Sequence, residues 1–395
     1  MKAQSYRSTI LSCYLGYITQ AIIINFAPLL FLTFQRTYDL SLAHVTMLVT
    51  LNFLTQLLVD LLAAKYVDRI GYRPCVVAAH VFCAAGLVGL GLFPMVLPPY
   101  AGLLTAVILY AIGGGLIEVL VSPIVEACPT DQKSAAMSLL HSFYCWGAVA
   151  VVLLSTLLFS LFGIQSWPYV ACFWAIVPAC NTVLFSRVPI APIVAEGEGM
   201  SISGLFKTKL FWILLLLMIC AGASEHAVAQ WASALAESAL GISKALGDLA
   251  GPCFFAVCMG VGRVIHAHLS DRIRLEAYLS GCAMLCMAGF LLIILPVPAI
   301  VSLFGCGVSG FAVGIMWPGT LSIASKRCPL GGTAMFALLA LGGDLGCSAG
   351  PTVVGIVSGL FSDQLKIGLT AGLLFPLLIV VGVWLLRRTD GREAR

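Results

Sequence analysis

The chain has 395 residues, of which 61% are hydrophobic and 10% charged, with a formal net charge of +4. Its mean hydropathy is +1.04. Soluble domains are roughly 45–50% apolar and about 25% charged, so this composition excludes a soluble globular domain and places the chain in a bilayer.

Inside a bilayer only helices and closed barrels satisfy their own backbone. The apolar runs here are long and continuous rather than short and alternating, so they read as helices of ~20 residues. Polar punctuation predicts twelve spans, at about 9–32, 42–64, 75–95, 100–125, 136–161, 167–185, 209–235, 246–268, 276–295, 298–324, 332–359 and 365–386. The first run begins near Thr9 and no small-residue cleavage site follows it. It reads as an uncleaved first helix, not a signal peptide. The longest polar interval inside the chain, Ser186–Lys209, contains "GEGMSISG" and separates six spans from six. The expected organisation is an N-terminal half (1–186), a cytoplasmic linker (187–208) and a C-terminal half (209–395).

Lys and Arg concentrate on the cytoplasmic side of membrane proteins. With both termini on that side, 18 basic residues fall there and three (Arg36, Lys244, Lys366) on the other. An odd number of spans would scramble this division, so it favours an even count, cytoplasmic termini and a cell (inner) membrane. The bias accounts for the net charge without nucleic acid. Fifteen cysteines are scattered along the apolar runs and read as small packing residues. With no CxxC pair or Cys/His cluster, neither metal nor cofactor is expected. No Gly-x-x-x-x-Gly-Lys-[Ser/Thr] motif occurs, so a primary pump would need its nucleotide site from a partner.

A repeat relates the halves. "GLIEVLVSPIVEACP" ends in Cys128-Pro129, and "GIMWPGTLSIASKRCP" ends in Cys328-Pro329, 200 residues on. Ala136-Met137 and Ala334-Met335 follow, and "VDRIGYR" returns as "LSDRIR". Matches in the same order at similar offsets indicate two related six-helix halves.

The stretch "AKYVDRIGYRP", Ala64–Pro74, falls between spans 2 and 3. It resembles the signature loop of the major facilitator superfamily, Gly-x-x-x-Asp-Arg-x-Gly-Arg-[Lys/Arg]. Asp68, Arg69, Gly71 and Arg73 match, while Ala64 replaces the first Gly and Tyr72 an Arg. "AHLSDRIR" is its degraded copy in the second half, with Asp271 and Arg272. The resemblance implies an all-α membrane protein of twelve transmembrane helices, two pseudo-symmetric six-helix halves, and a conformational latch at these residues. Residue type fits the role. Gly71 permits a turn that other residues avoid, Asp68 suits the N-terminal end of a helix, and the arginines suit carboxylates or helix C-termini.

Ionisable groups inside a span are costly and default to functional candidates. In "SEHAVAQWASALAE" of span 7, His226, Gln230, Ser233 and Glu237 fall on one helical stripe, flanked by Glu225 and Trp231. Span 1 offers Tyr14, Tyr17, Gln20 and Asn25. Span 2 offers Asn52, Gln56 and Asp60, the first two read as interhelical hydrogen bonds. Span 4 offers Tyr110, Glu118, Ser122 and Glu126, and span 5 His141, Tyr144 and Trp146. Trp317 lies in span 10. Asp344 lies in span 11, with His141 as a candidate partner. Arg263, His266 and His268, near the end of span 8, read as part of the second latch. In the superfamily, spans 1, 4, 7 and 10 line the central cavity, and spans 3, 9 and 12 are peripheral. Here the peripheral spans look nearly free of polar residues.

The expected substrate contacts are Tyr17, Asn25, Glu118, His141, Tyr144, Glu225, His226, Gln230, Trp231 and Trp317. Glu225, Glu118 and Asp344 are the expected proton carriers. No Lys or Arg is expected near the middle of a span, so a neutral or cationic solute is favoured over an anion. Aromatic faces beside amides and carboxylates suit a sugar, and also an organic cation. "AAMSLLHSFYCWGA" and "GASEHAVAQW" resemble the fucose:proton symporter-like branch. That branch carries an acidic residue in span 1, where this chain offers Asn25. "GCSAGPTVVG", Gly346–Gly355, looks like an antiporter motif of span 5 but falls in span 11, and reads as close helix packing. The expected function is proton-coupled uptake of a neutral polar solute, most simply a sugar, by a monomer in the bilayer. Sodium is an alternative coupling ion. The rival readings are a proton-driven exporter of cationic or amphiphilic compounds and a non-transporting sensor on the same fold.

Overall fold

The computed structural model describes residues 6–40, 42–130, 132–192, 199–232, 249–361 and 365–393. Among these all regular structure is helical. Twelve helices are long and apolar enough to cross a membrane: Arg7–Leu30, Met47–Ile70, Tyr72–Val96, Pro99–Ala127, Lys133–Phe162, Ile164–Arg187, Lys209–Ala229, Gly251–Leu269, Leu275–Ile294, Ala299–Arg327, Pro329–Leu360 and Leu365–Arg388. They are spans 1 to 12 below.

Two compact units form. The first holds Met1–Pro129, Phe143–Ala195 and Gly332–Ala337; the second holds Thr130–Ser142, Glu196–Gly331 and Leu338–Arg395. In the first unit span 3 packs on spans 4 and 6, and span 1 packs on the same two, while span 2 packs on span 4. In the second unit span 9 packs on spans 10 and 12, span 7 on the same two, and span 8 on span 10. The five pairs repeat at a shift of six, which is the physical content of the sequence repeat. Each unit also contains the opening turns of a span whose remainder belongs to the other.

Small residues set the helix separations, as expected where lipid supplies no hydrophobic drive between helices. A Cβ on Gly346 would lie 2.0 Å from the Ile219 carbonyl oxygen, and one on Gly350 2.4 Å from that of Ala223. A Cβ on Gly222 would lie 2.2 Å from the Gly343 oxygen. The glycines of "GCSAGPTVVG" therefore bring spans 7 and 11 together backbone to backbone. Gly346→Val should lower stability by about 3 kcal/mol, the upper end of overpacking costs. Gly281→Val, with nothing within 4 Å of its added Cβ, should be neutral. Melting of the two variants in detergent compares them directly, and equal losses would remove the packing argument.

Three spans depart in detail from expectation. Span 7 is helical over Lys209–Ala229 with Gln230 as its C-cap, and residues 233–235 of the expected span lie outside the described residues. Ser233 and Glu237 lie outside the described residues. Span 8 opens in a wide turn over Leu249–Cys253 containing Pro252, which lacks a backbone donor. Span 3 is not free of polar groups. His80 is fully buried, its Nδ1–H donating to the Val76 carbonyl at 2.7 Å. Asn181 of span 6 donates to His80 Nε2 at 2.8 Å and to the Ser12 carbonyl of span 1 at 2.9 Å. One amide thus joins spans 1, 3 and 6.

Candidate functional site

Gly71 has φ +97°, a conformation that suits glycine, and it turns the chain from span 2 into span 3. Asp68 accepts a hydrogen bond from the Thr333 hydroxyl at the start of span 11, and the Tyr72 hydroxyl meets the same oxygen. Arg73 donates to the carbonyls of Phe185, Ser186 and Val188 at 3.0, 2.9 and 2.8 Å. It therefore caps the C-terminus of span 6, within its own sequence half. Arg69 is exposed, as are Asp271 and Arg272. In the second unit Asp271 accepts from Gln132, at the start of span 5. His266 bonds Ser138 at 2.6 Å in the same region.

Within the first unit, the Tyr17 hydroxyl lies 3.0 Å from Ser122 Oγ. Gln20 Nε2 donates to Gln56 Oε1 at 3.1 Å and to Glu118 Oε2 at 3.3 Å. This joins spans 1, 2 and 4, and Gln56 makes the interhelical bond read from sequence. Gln20, absent from the expected contact set, is its centre. Three buried atoms around it have no hydrogen-bond partner: Gln20 Oε1, Gln56 Nε2 and Asn52 Oδ1. Asn25 instead turns back to the Ala21 carbonyl of its own helix at 2.9 Å. Tyr144 is half-buried and Trp146 is 37% exposed.

In the second unit the largest departure is Arg263. It is 3% exposed, not a surface latch residue, and its Nη2 lies 3.8 Å from Glu225. The expectation of an interior without cations is corrected here. A long side chain anchored near the end of span 8 carries its charge inward. A buried cation needs a counter-charge, and Glu225 supplies it, so the pair adds no net charge. His141 is buried, and its carbonyl accepts from Arg263 at 2.8 Å.

Two aromatic candidates occupy different levels of span 11. The Trp317 ring rests against Gly343, beside the half-buried Asp344, and the Trp231 ring against Gly355. Twelve residues of helix separate those glycines, about 18 Å at 1.5 Å per residue. Gln230 is exposed and His226 half-buried. Trp231 Nε1, His226 Nδ1 and Ser224 Oγ are buried atoms without a hydrogen-bond partner.

Twelve spans, ten of them packed by one scheme in two units, with amides and carboxylates turned into helix contacts, define a multi-pass membrane protein. The family model of the Major Facilitator Superfamily matches residues 10–351. The chain belongs to that superfamily and is a transporter by family. Among solved structures it is similar to a variant of the E. coli fucose:proton symporter FucP. That match has a TM-score of 0.81 and 15% identity, covering 97% of this chain and 99% of that one. It is also similar to the proton:xylose symporter XylE bound to 6-bromo-6-deoxy-D-glucose, with a TM-score of 0.82 and 13% identity, covering 96% and 95%. The human organic anion transporter TETRAN matches with a TM-score of 0.73 and 16% identity, covering 96% and 100%. At these identities the likeness is one of fold. No curated protein sequence matches.

Proposed function

We propose that this transporter takes up a neutral polar solute, a sugar, with protons and by alternating access. In this reading the halves 1–186 and 209–395 are its repeats, 187–208 is a cytoplasmic linker, and the protein is a monomer of the cell (inner) membrane with cytoplasmic termini. The observation that carries the reading is the set of buried polar atoms left without partners. Acceptors (Gln20 Oε1, Asn52 Oδ1) stand beside a donor (Gln56 Nε2) in the first unit, and Trp231 Nε1 and His226 Nδ1 in the second. A hydroxyl both donates and accepts, so a polyol answers both kinds of demand. Neutralisation of Arg263 by Glu225 removes the attraction that an anion would need. A fucose:proton symporter, FucP, and a proton:xylose symporter, XylE, share this fold.

A thermal-shift screen of purified protein against sugars, amino acids, nucleosides and organic cations tests this. A sugar at 100 times its Kd should stabilise the protein by about 2.7 kcal/mol. Stabilisation by cations alone would favour the exporter, and a sugar shift without flux in vesicles would favour the sensor. Trp231→Ala should weaken sugar binding by ~1 kcal/mol or more, the order of a lost stacking or hydrogen-bond contact. Trp384, 48% exposed and stacked under Arg388, is the control. Equal losses at both positions would report folding and not a site.

A further inference from the structure

Span 12 carries an exposed apolar stripe, Leu377, Val381 and Trp384, at helical spacing. The stripe ends on Arg388, whose guanidinium carbon lies 3.8 Å from the centre of the Trp384 ring. An indole face attracts a cation, so this arginine lies back along the stripe. Arg387 beside it is exposed. Arg327 of span 10 donates to the Leu386 carbonyl at 3.0 Å and to Glu276 at 3.1 Å, which fixes this end of span 12 and gives the Glu276 carboxylate its own cation.

Span 7 packs beside span 12, and spans an odd number apart in the chain run antiparallel. A Cβ on Gly382 would lie 2.7 Å from Leu217 Cδ2, so these two residues stand at one level. Five residues further towards the membrane surface, about 7.5 Å at 1.5 Å per residue, come Trp212 on one helix and Arg387 on the other. Trp212 is exposed, and an indole at a membrane surface ordinarily turns its N–H to the wet side. Here it donates instead to the Phe206 carbonyl at 2.9 Å, with the Phe206 and Trp212 rings 5.5 Å apart. The indole fastens the preceding segment to the foot of span 7. Lys207 and Lys209, both exposed, are thereby held at the membrane surface on which Arg387 and Arg388 lie. The stretches 207–209 and 387–395 hold six basic residues against two acidic ones, Asp390 and Glu393, and neither 199–224 nor 367–389 contains an acidic residue.

We propose that the seam of spans 7 and 12, within the second unit, binds one anionic phospholipid. Its acyl chains lie along Leu377, Val381 and Trp384, and its phosphate sits between Arg388 and the Lys207–Lys209 pair. An apolar face that ends in cations matches a molecule whose apolar chains end in an anion, whereas a free phosphate has no use for the stripe. Basic clusters beside transmembrane helices attract acidic headgroups in this way. The cradle is also prepared in advance: the Trp384 ring holds the arginine, and the Trp212 hydrogen bond holds the segment that carries Lys207. The site is independent of which solute the protein carries.

Native mass spectrometry of the full-length protein in detergent tests this, with dioleoylphosphatidylglycerol and dioleoylphosphatidylcholine supplied in equal amounts. The acyl chains are identical, so only the headgroup charge differs. The unaltered protein should retain one phosphatidylglycerol roughly tenfold more strongly than phosphatidylcholine, the scale set by a few cations near a headgroup. Arg388→Gln should weaken that retention about fivefold, and Lys207→Gln with Lys209→Gln by about fivefold or more. Lys65→Gln is the control, since Lys65 is an exposed cation over the Tyr66 ring at the end of span 2 and should leave retention unchanged. Equal retention of the two lipids by the unaltered protein overturns the proposal. So does an equal loss in Lys65→Gln, which would make the preference one of general surface charge. Added inorganic phosphate should not displace the lipid, and displacement at matched concentration would reassign the cations to a free anion.

Discussion

In proteoliposomes, Glu225→Gln and Glu118→Gln should each abolish sugar accumulation driven by an imposed pH gradient while counterflow persists within a few-fold. The two modes separate because exchange needs only a binding site that reorients, whereas accumulation needs a group that carries the proton with it. Gln has the shape of a protonated Glu and cannot release a proton. Each side chain meets groups of other spans: Glu118 accepts from Gln20, which also bonds Gln56, and Glu225 faces Arg263. Of the two, Glu225 should show the larger effect, because its neutral form also removes a negative charge from beside the buried Arg263 guanidinium. Should both Gln variants still concentrate sugar against its gradient with only protons as drive, the proton reading loses its support. Sodium or another residue then takes the role.

Asp68→Asn should slow transport by about tenfold or more and leave sugar affinity within a few-fold. The Asp68 carboxylate receives the Thr333 hydroxyl, and a hydrogen bond to an ionised acceptor is roughly twice as strong as a neutral one. Asn keeps the shape and loses the charge, so a change in rate without a change in affinity isolates the latch from the site. Thr333→Val removes the other partner of the same bond and should act in the same direction, with no additive loss in the double variant. Initial rates and equilibrium binding measured on one preparation compare the two. Normal flux in Asp68→Asn would leave its loop with only the task of setting membrane orientation.

The twelve spans were legible because a bilayer demands long apolar helices, and the repeat was legible because Cys-Pro and Asp-Arg marks recur in order. The end of span 7 was not. Its first cap falls at Gln230, inside the run of that polar period, and periodicity carries no information about a cap. Arg263 was misjudged for a different reason. Its position near the end of span 8 reads as part of the second latch, whereas it is 3% exposed, bonded to the Gly314 carbonyl and facing Glu225. Neither partner is near it in sequence. The His80–Asn181 pair was missed because single polar residues 101 positions apart look like isolated exceptions. Trp231 and Trp317 were legible as aromatic candidates, but their separation along span 11 depends on which glycine each ring covers.

The exchange of span openings between the units has a consequence for how the chain is made. A ribosome adds roughly 5–20 residues per second. Thr333, the partner of Asp68 in the first unit, is synthesised 265 residues after it. The nascent protein therefore spends on the order of tens of seconds with the Asp68 carboxylate solvated and its place beside span 11 empty. The first unit reaches its final form only when residues 332–337 have left the exit tunnel, although most of its mass was inserted long before. The second unit, by contrast, receives its borrowed piece, Thr130–Ser142, before any of its own spans has been translated, and can assemble around that piece as it emerges.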